Sequence, residues 1–412
     1  MNYEPSEMHL ASLRLFLEDV ACDNSLFKHV VHSDRSASLC QIDREYYLGA
    51  PRVFADVRIA PAEEPEYFIE VKFGYTNARL LDTIRRKYSI DTPQIRAAAK
   101  LLIVTDCSSE VLELQIKELI NPCLQLEVWT EATLKSQIQE RLGISIESIN
   151  EHELLDVRDR IENAQGCYAF GGEDVTKYDN DPLRAELLWL FGPLKLRRLR
   201  DAGHNSPRDI LPPGRYTRVA VLMADLSSFS SFVRDTPDPE ITRECLTSFC
   251  SKTRYQIVNG GGMLYQYVGD AVLGFFGIPE SEPTTIGDAL RVAKSVLDIG
   301  ASVSDNWQRQ IDRVQPSHGA HIGLTIGDIE IIALRPFSRT RIGAFGDPIN
   351  MSARLSSAVG GGQIAVSNSF YHKLSQSEQA EFQAMDEFDA RNVGRIKGWK
   401  LDRSCRYDSK DC

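Results

Sequence analysis

A set of acids, an amide and two basic residues in the second half of the chain has the types and order that metal-assisted phosphoryl chemistry needs. The apolar run at 219–223 ends on Asp225 and passes through a Ser-rich turn to Phe229, in ADLSSF. An acid at a strand end beside freely donating backbone N–H groups can hold a cation and a polyphosphate together. A glycine turn at 260–262 then leads into a strand, a tight Gly269-Asp270 bend and a second apolar strand at 271–276. This reads as a hairpin with a carboxylate at its bend. Two such acids at neighbouring strand ends would grip a pair of magnesium ions about 3.5–4 Å apart, which activates an attacking hydroxyl and neutralises a leaving phosphate. In FGDPINMSARL, Asp347 and Pro348 read as an N-cap and first helical residue. Asn350 and Arg354 are then four apart on one helix face, an amide to fix a ribose and a guanidinium for the oxygens of a phosphorus transition state. Lys397 precedes Gly398 in GRIKGWKL, on a late strand or turn. Taken singly, each has an ordinary explanation: a turn-forming Asp, a hairpin turn, a surface arginine, a solvated lysine.

These residues need strands and helices to position them, and the chain is long enough for two or three domains, at 412 residues. Its apolar fraction of 42% and charged fraction of 25% are those of a soluble globular protein. No run of about 18 apolar residues is written, and the acidic start lacks the basic flank of a signal peptide, so the expectation is a cytoplasmic protein. A net charge of −11 argues against a large non-specific nucleic-acid surface, although KLRRLR at 195–200 is locally basic. The nine cysteines form no CxxC pair, and are read as reduced thiols. Breaks at 167–182 and in HNSPRDILPPGR, 204–215, flank a helical stretch interrupted at Gly192-Pro193. The expected domains are therefore 1–165, a helical linker at 166–215, and 216–412.

Together and in this order, ADLSSF, GG-x-x-x-x-x-x-GD, GDPIN-x-x-AR and KG resemble the class III adenylate/guanylate cyclase catalytic domain over residues 216–406. The resemblance implies a ferredoxin-like α/β core and a head-to-tail homodimer with active sites at the interface. It also implies a nucleoside triphosphate substrate and two Mg²⁺ or Mn²⁺ ions per site. Asp225 and Asp270 match the family's metal ligands, and Asn350 and Arg354 its ribose-orienting and transition-state residues. Lys397 matches its triphosphate lysine, and Phe229 a substrate-binding position. One chain supplies the two Asp; the other supplies Asn350, Arg354 and Lys397.

The base-reading positions depart from the family. The first is Lys in adenylate cyclases and Glu in guanylate cyclases, and here it is Gln266; the second is Asp, Thr or Cys, and here it is Gly343. By strand alternation Tyr265 and Tyr267 share one face and Gln266 takes the other. In these departures the chain resembles the pyrimidine cyclases of the Pycsar anti-phage systems. That implies cyclic UMP from UTP, or secondarily cyclic CMP from CTP, acting on a separate effector. An adenylate cyclase with an unusual base pocket is the alternative within the class. A non-catalytic cyclase-like regulator is disfavoured because both acids, Asn350, Arg354 and Lys397 are all present.

The first segment alternates helices and strands and is expected to form a small mixed sheet with flanking helices. Helices are expected at 7–20, 77–88 and 131–142, strands at 52–59, 67–71, 101–104 and 124–129, and a helix start at Thr105-Asp106. FADVRI followed by FIEVK places Asp56 ahead of Glu70 and Lys72, which share a strand face. This resembles the PD-(D/E)xK nuclease core. A live nuclease would hold magnesium on Asp56 and Glu70 and use Lys72 to activate water. An inert sensing or docking version of that core, and a strand whose charges merely face solvent, are the other readings.

Overall fold

The computed structural model describes residues 7–26, 40–62, 64–142, 145–149, 151–171, 182–204, 206–315, 317–335, 338–390 and 394–407. Most of the break expected at 167–182 lies outside the described residues. The chain divides into two compact units, residues 1–162 with 238–244, and residues 163–237 with 245–412. Among the described residues no helix is long and apolar enough to cross a membrane.

The first unit carries α1 (Glu7–Leu26), β1 (Cys40–Tyr47), β2 (Phe54–Pro61), β3 (Glu66–Val71), α2 (Asn77–Tyr88), α3 (Pro93–Ala97), β4 (Ala98–Val104), α4 (Glu110–Leu119), β5 (Gln125–Trp129) and α5 (Glu131–Leu142). Its strands form one sheet in chain order, β1-β2-β3 antiparallel and β3-β4-β5 parallel. Thr76 caps α2, its hydroxyl accepting from the Arg79 amide at 3.3 Å. Leu80, Ile84 and Tyr88 then recur every four residues and bury one stripe against Phe68, Leu101 and Ile103 of the sheet. The helix expected at Thr105-Asp106 begins instead at Glu110, capped by Ser109. The Asp106 carboxylate accepts the Gly74 amide at 3.0 Å, so it ties a loop rather than opening a helix. β1, CQIDREYY, was not foreseen, because its charges disguise a buried strand. Arg44 is fully buried and pairs with Glu18 at 2.7 Å and Asp19 at 2.8 Å, while Asp43 pairs with Arg58 at 2.8 Å.

α6 (Glu151–Phe170) belongs to the first unit up to residue 162 and to the second from 163, and in the second unit α7 (Pro182–Asp201) and α8 (Pro207–Ile210) precede the main sheet. α7 is kinked at Gly192, which takes φ 70°, just ahead of Pro193. There follow β6 (Gly214–Leu226), α9 (Phe229–Asp235), α10 (Pro239–Asn259, of which residues up to 244 group with the first unit), β7 (Met263–Val268), β8 (Ala271–Phe276), α11 (Thr285–Ile311), β9 (Ala320–Arg335), β10 (Ser338–Phe345) and α12 (Asp347–Ser357). β11 (Gln363–Ser367), β12 (Gln383–Ala384), β13 (Phe388–Ala390), β14 (Gly394–Ile396) and β15 (Gly398–Asp402) complete it. The sheet order is β12-β15-β11-β9-β6-β8-β7, with β10 paired to the far half of β9. β6 is an interior strand whose stretch 219–222 is buried on both faces, as a strand covered from two sides must be. Val219, Val221, Leu273 and Phe275 meet Leu187 and Phe191 of α7 in one core. α12 lies so close to β9 that a side chain at Gly323 would meet the Ser352 carbonyl oxygen at 1.9 Å. Asp347 is the first helical residue of α12 and Gly346 holds the cap position, one residue from the expected arrangement.

Candidate active site

Asp225 is the penultimate residue of β6, and Asp270 sits in the β7–β8 bend beside Gly269, whose φ of 67° lets the turn close. The two side chains are in hydrogen-bonding contact, although 45 residues separate them in sequence. Burial, followed by the hydrogen bond and charge of Asp225, pushes Asp270 up to about 7. Among the described residues neither carboxylate has a Lys or Arg partner. Asp270 thus keeps its proton up to about pH 7 where a cation would serve, and the hard oxygens of the pair suit Mg²⁺ or Mn²⁺, with water and substrate oxygens completing the shell. A neighbour not foreseen from sequence is His321, which lies opposite Asp225 in the β6–β9 ladder. Its Nδ1 is 2.9 Å from Ser227 Oγ and its Nε2 3.6 Å from Asp225 Oδ2. Burial holds this imidazole below its usual value.

The proton on the acid pair has a measurable consequence. A carboxyl raised on folding binds its proton to higher pH than in the unfolded chain, so the pair costs stability as pH rises from the ordinary carboxylate range through about 7. A divalent cation must displace that proton. Mn²⁺ affinity is therefore expected to fall as pH drops below about 7, with proton release on binding, read by calorimetry in buffers of different ionisation enthalpy. An affinity unchanged across this range would exclude the pair as the cation site.

Asn350 and Arg354 both lie on the exposed face of α12, and among the described residues neither side chain has a hydrogen-bond or ion-pair partner. The opposite face of α12 buries Leu355 against Ala365 and Ile396, and Ile396 immediately precedes Lys397. α12 and the lysine are thus held by one small core. Lys397 itself is 71% exposed and pairs with Glu387 at 2.9 Å, an exposed contact of at most about 1 kcal/mol that a triphosphate can replace. No hydrogen bond or ion pair among the described residues joins Asn350, Arg354 or Lys397 to the two Asp. Phe229 opens α9 with its ring edge-on to Trp307, centroids 6.0 Å apart.

The expected alternation around Gln266 is corrected by a bulge. The β7–β8 register shifts between Leu264 and Gln266, leaving Tyr265 as the extra residue. Tyr265 stacks on Phe275 at 4.9 Å and its hydroxyl accepts the Ala344 amide at 2.8 Å. Tyr267 instead donates to the Cys250 carbonyl of α10 at 3.2 Å. The two tyrosines therefore serve different contacts, and neither hydroxyl is uncommitted. The Tyr265–Ala344 bond brings β7 and β10 together, so Gln266 and Gly343 are each next to a bonded residue. Gln266 is exposed, and its side-chain amide makes no hydrogen bond among the described residues. A side chain at Gly343 would meet Leu334 Cδ2 at 2.9 Å and Ile332 Cγ1 at 3.1 Å. A separate cleft of about 550 Å³ lies at the opposite end of β6, lined by Arg215, Arg218 and Glu280 among others, and holds none of these residues.

Residues 211–403 match the family described as Adenylate and Guanylate cyclase catalytic domain. The chain thus carries a nucleotide cyclase domain of the adenylate/guanylate class. Domains of this class act on nucleotides as dimers and generally use two Mg²⁺ or Mn²⁺ ions. Among solved structures, the guanylyl cyclase Cya2 is 22% identical, with a TM-score of 0.40 over 46% of this chain and 94% of that one. The adenylyl cyclase CyaB from P. aeruginosa is 17% identical, with a TM-score of 0.39 over 49% and 100%. The dimeric guanylyl cyclase domain of the RhoGC fusion protein from the aquatic fungus Blastocladiella emersonii is 21% identical, with a TM-score of 0.36 over 45% and 97%. No curated protein matches the chain.

Proposed function

We propose that the second unit is a pyrimidine nucleotide cyclase that converts UTP, and secondarily CTP, into the 3′,5′-cyclic monophosphate and pyrophosphate. The observation that carries this reading is the base-reading pair. Gln266 is exposed with no side-chain hydrogen bond among the described residues, and Gly343 offers no purine-selecting side chain. An amide has one donor end and one acceptor end, so after a flip it pairs with the edge of uracil or of cytosine. A lysine there could only donate and a glutamate only accept. The preference for UTP rests on the resemblance to the Pycsar cyclases, since the amide does not choose between the two bases. The product would act as a messenger for a separate anti-phage effector.

In this reading Asp225 and Asp270 hold the cations, and the backbone at Phe229 lies along the triphosphate. Bound there, the two ions would acidify the ribose 3′-hydroxyl and offset the charge of the leaving pyrophosphate. Asn350 orients the ribose so that its 3′-oxygen faces the α-phosphorus in line. Arg354 donates to the equatorial oxygens as the phosphorus becomes five-coordinate, and Lys397 leaves Glu387 to meet the departing phosphates. No protein nucleophile takes part. Asn350, Arg354 and Lys397 come from the partner of the chain that supplies the acids. For the first unit we read a nuclease-like core retained for sensing or docking.

The test is product analysis after incubating the full chain with equal concentrations of the four ribonucleoside triphosphates and Mg²⁺ or Mn²⁺. Cyclic UMP is expected to dominate, with cyclic CMP next. A site that pairs the edge of a pyrimidine rejects the purines strongly, because polar groups are then left unmatched. Mainly cyclic AMP would establish the adenylate cyclase reading instead, and mainly cyclic GMP would equally overturn the assignment of Gln266 and Gly343.

A further inference from the structure

The chain contains a second pair of converging carboxylates, in the first unit, and its surroundings are the reverse of those at Asp225 and Asp270. Asp56 on β2 and Glu70 on β3 are 7% and 0% exposed. They are held together by their own backbones: the Asp56 amide donates to Glu70 Oε1 at 3.2 Å, and the Val71 amide to Asp56 Oδ2 at 2.9 Å. Lys72 pairs with Asp56 and, at 2.7 Å, with Glu70 Oε2. The remaining oxygen positions are taken by the last turn of α2. Lys87 Nζ lies 3.0 Å from Asp56 Oδ1, 3.0 Å from Glu70 Oε1 and 2.8 Å from Glu70 Oε2. The Tyr88 hydroxyl donates to Glu70 Oε1 at 2.6 Å.

The charges balance, two carboxylates against two ammonium groups. A buried charge is tolerated when it is paired and hydrogen-bonded, and each of these four groups is. Burial works against the Lys72 ammonium, but Asp56 and Glu70 more than offset it and hold the group well above its ordinary value. Burial and Glu70 likewise raise Tyr88, which keeps the phenol a donor. Lys87 bonds both carboxylates at once, which is the bridging position a shared divalent ion takes. The lysine cannot stay there and admit one. The stripe of α2 at Leu80, Ile84 and Tyr88, all fully buried, anchors the turn that carries it.

We infer that Lys87 is a built-in cation that closes the Asp56–Glu70 pair, so that the first unit excludes divalent metal and does not cleave phosphodiesters by a metal-dependent route. Magnesium, which the nuclease-like reading of FADVRI and FIEVK would require, does not fit the residues as they stand. The inference is independent of which nucleotide the second unit cyclises.

The experiment uses the full chain carrying Asp225→Ala and Asp270→Ala, which silence the other acid pair. Mn²⁺ binding is followed by electron paramagnetic resonance of the free ion, and thermal melting is recorded with and without Mn²⁺. The parent is expected to bind no Mn²⁺ stoichiometrically and to leave supercoiled plasmid DNA intact. Adding Lys87→Met removes the internal cation, and the chain is expected to gain one Mn²⁺ site, with a melting temperature that Mn²⁺ raises. Adding Asp56→Asn on top is expected to abolish both gains. Stoichiometric Mn²⁺ binding or Mn²⁺-dependent nicking by the parent, lost on Asp56→Asn, would overturn the inference without recourse to the Lys87 variant. A folded Lys87→Met chain that ignores Mn²⁺ would overturn it as well, and Lys87→Gln replaces that variant if the methionine prevents folding.

Discussion

Asp225→Ala and Asp270→Ala are each expected to lower cyclase turnover by about a hundredfold or more, with a melting temperature that is unchanged or slightly raised. Preorganised groups facing transition-state charge are each worth about 10²–10³ in rate, and a metal ligand takes its ion with it. The stability side follows from the same geometry. Both acids sit at the ends of strands, where truncation removes no core packing. Burial first, then the hydrogen bond and charge of Asp225, raise Asp270, and removing Asp225 takes away the second and third of these causes. In Asp225→Ala the Asp270 carboxyl should therefore titrate lower, which carbon-detected NMR of the labelled side chain would follow. A folded variant that retained more than a few per cent of wild-type activity would show that the altered acid is not a metal ligand.

The sequence read best where local rules decide the structure. α2 lies at 77–88 as its periodicity and Thr76 cap require, and the Gly192-Pro193 pair does interrupt α7. Asp225 and Gly269-Asp270 stand out because an apolar run meets a turn at each. What escaped the reading depends on partners distant in the chain. His321 is 96 positions from Asp225 and becomes its neighbour only through the β6–β9 register. The bulge at Tyr265 is a property of two strands together, so alternation within β7 alone gave the wrong face. The charges of FADVRI and FIEVK were visible, but not Lys87, since a lysine in the basic last turn of a helix reads as ordinary complement to the helix dipole. β1 was hidden because Arg44 carries its own counter-ions on another element.

A mixture of two inactive chains, Asp225→Ala and Arg354→Ala, is expected to regain about a quarter of wild-type activity once subunits have exchanged. The division of the site carries this. Asp225 and Asp270 touch each other, while Asn350 and Arg354 stand on the exposed face of α12, their side chains without a partner among the described residues. If the acids of one chain face the α12 of the other, a mixed dimer has one interface site with both lesions and one with none. Random exchange at equal concentrations makes about half of all dimers mixed, and each restores one site of two. The recovered rate should rise and fall with the mixing ratio and peak near equal amounts. A chain carrying both substitutions supplies the control, since mixing it with either single variant can build no intact site. Recovery is to be read as cyclic nucleotide formed per chain, alongside native mass spectrometry of tagged chains to count mixed dimers. If mixed dimers form in the expected proportion and activity stays at the level of the single variants, each chain uses its own acids with its own Arg354, and the shared-site arrangement is wrong.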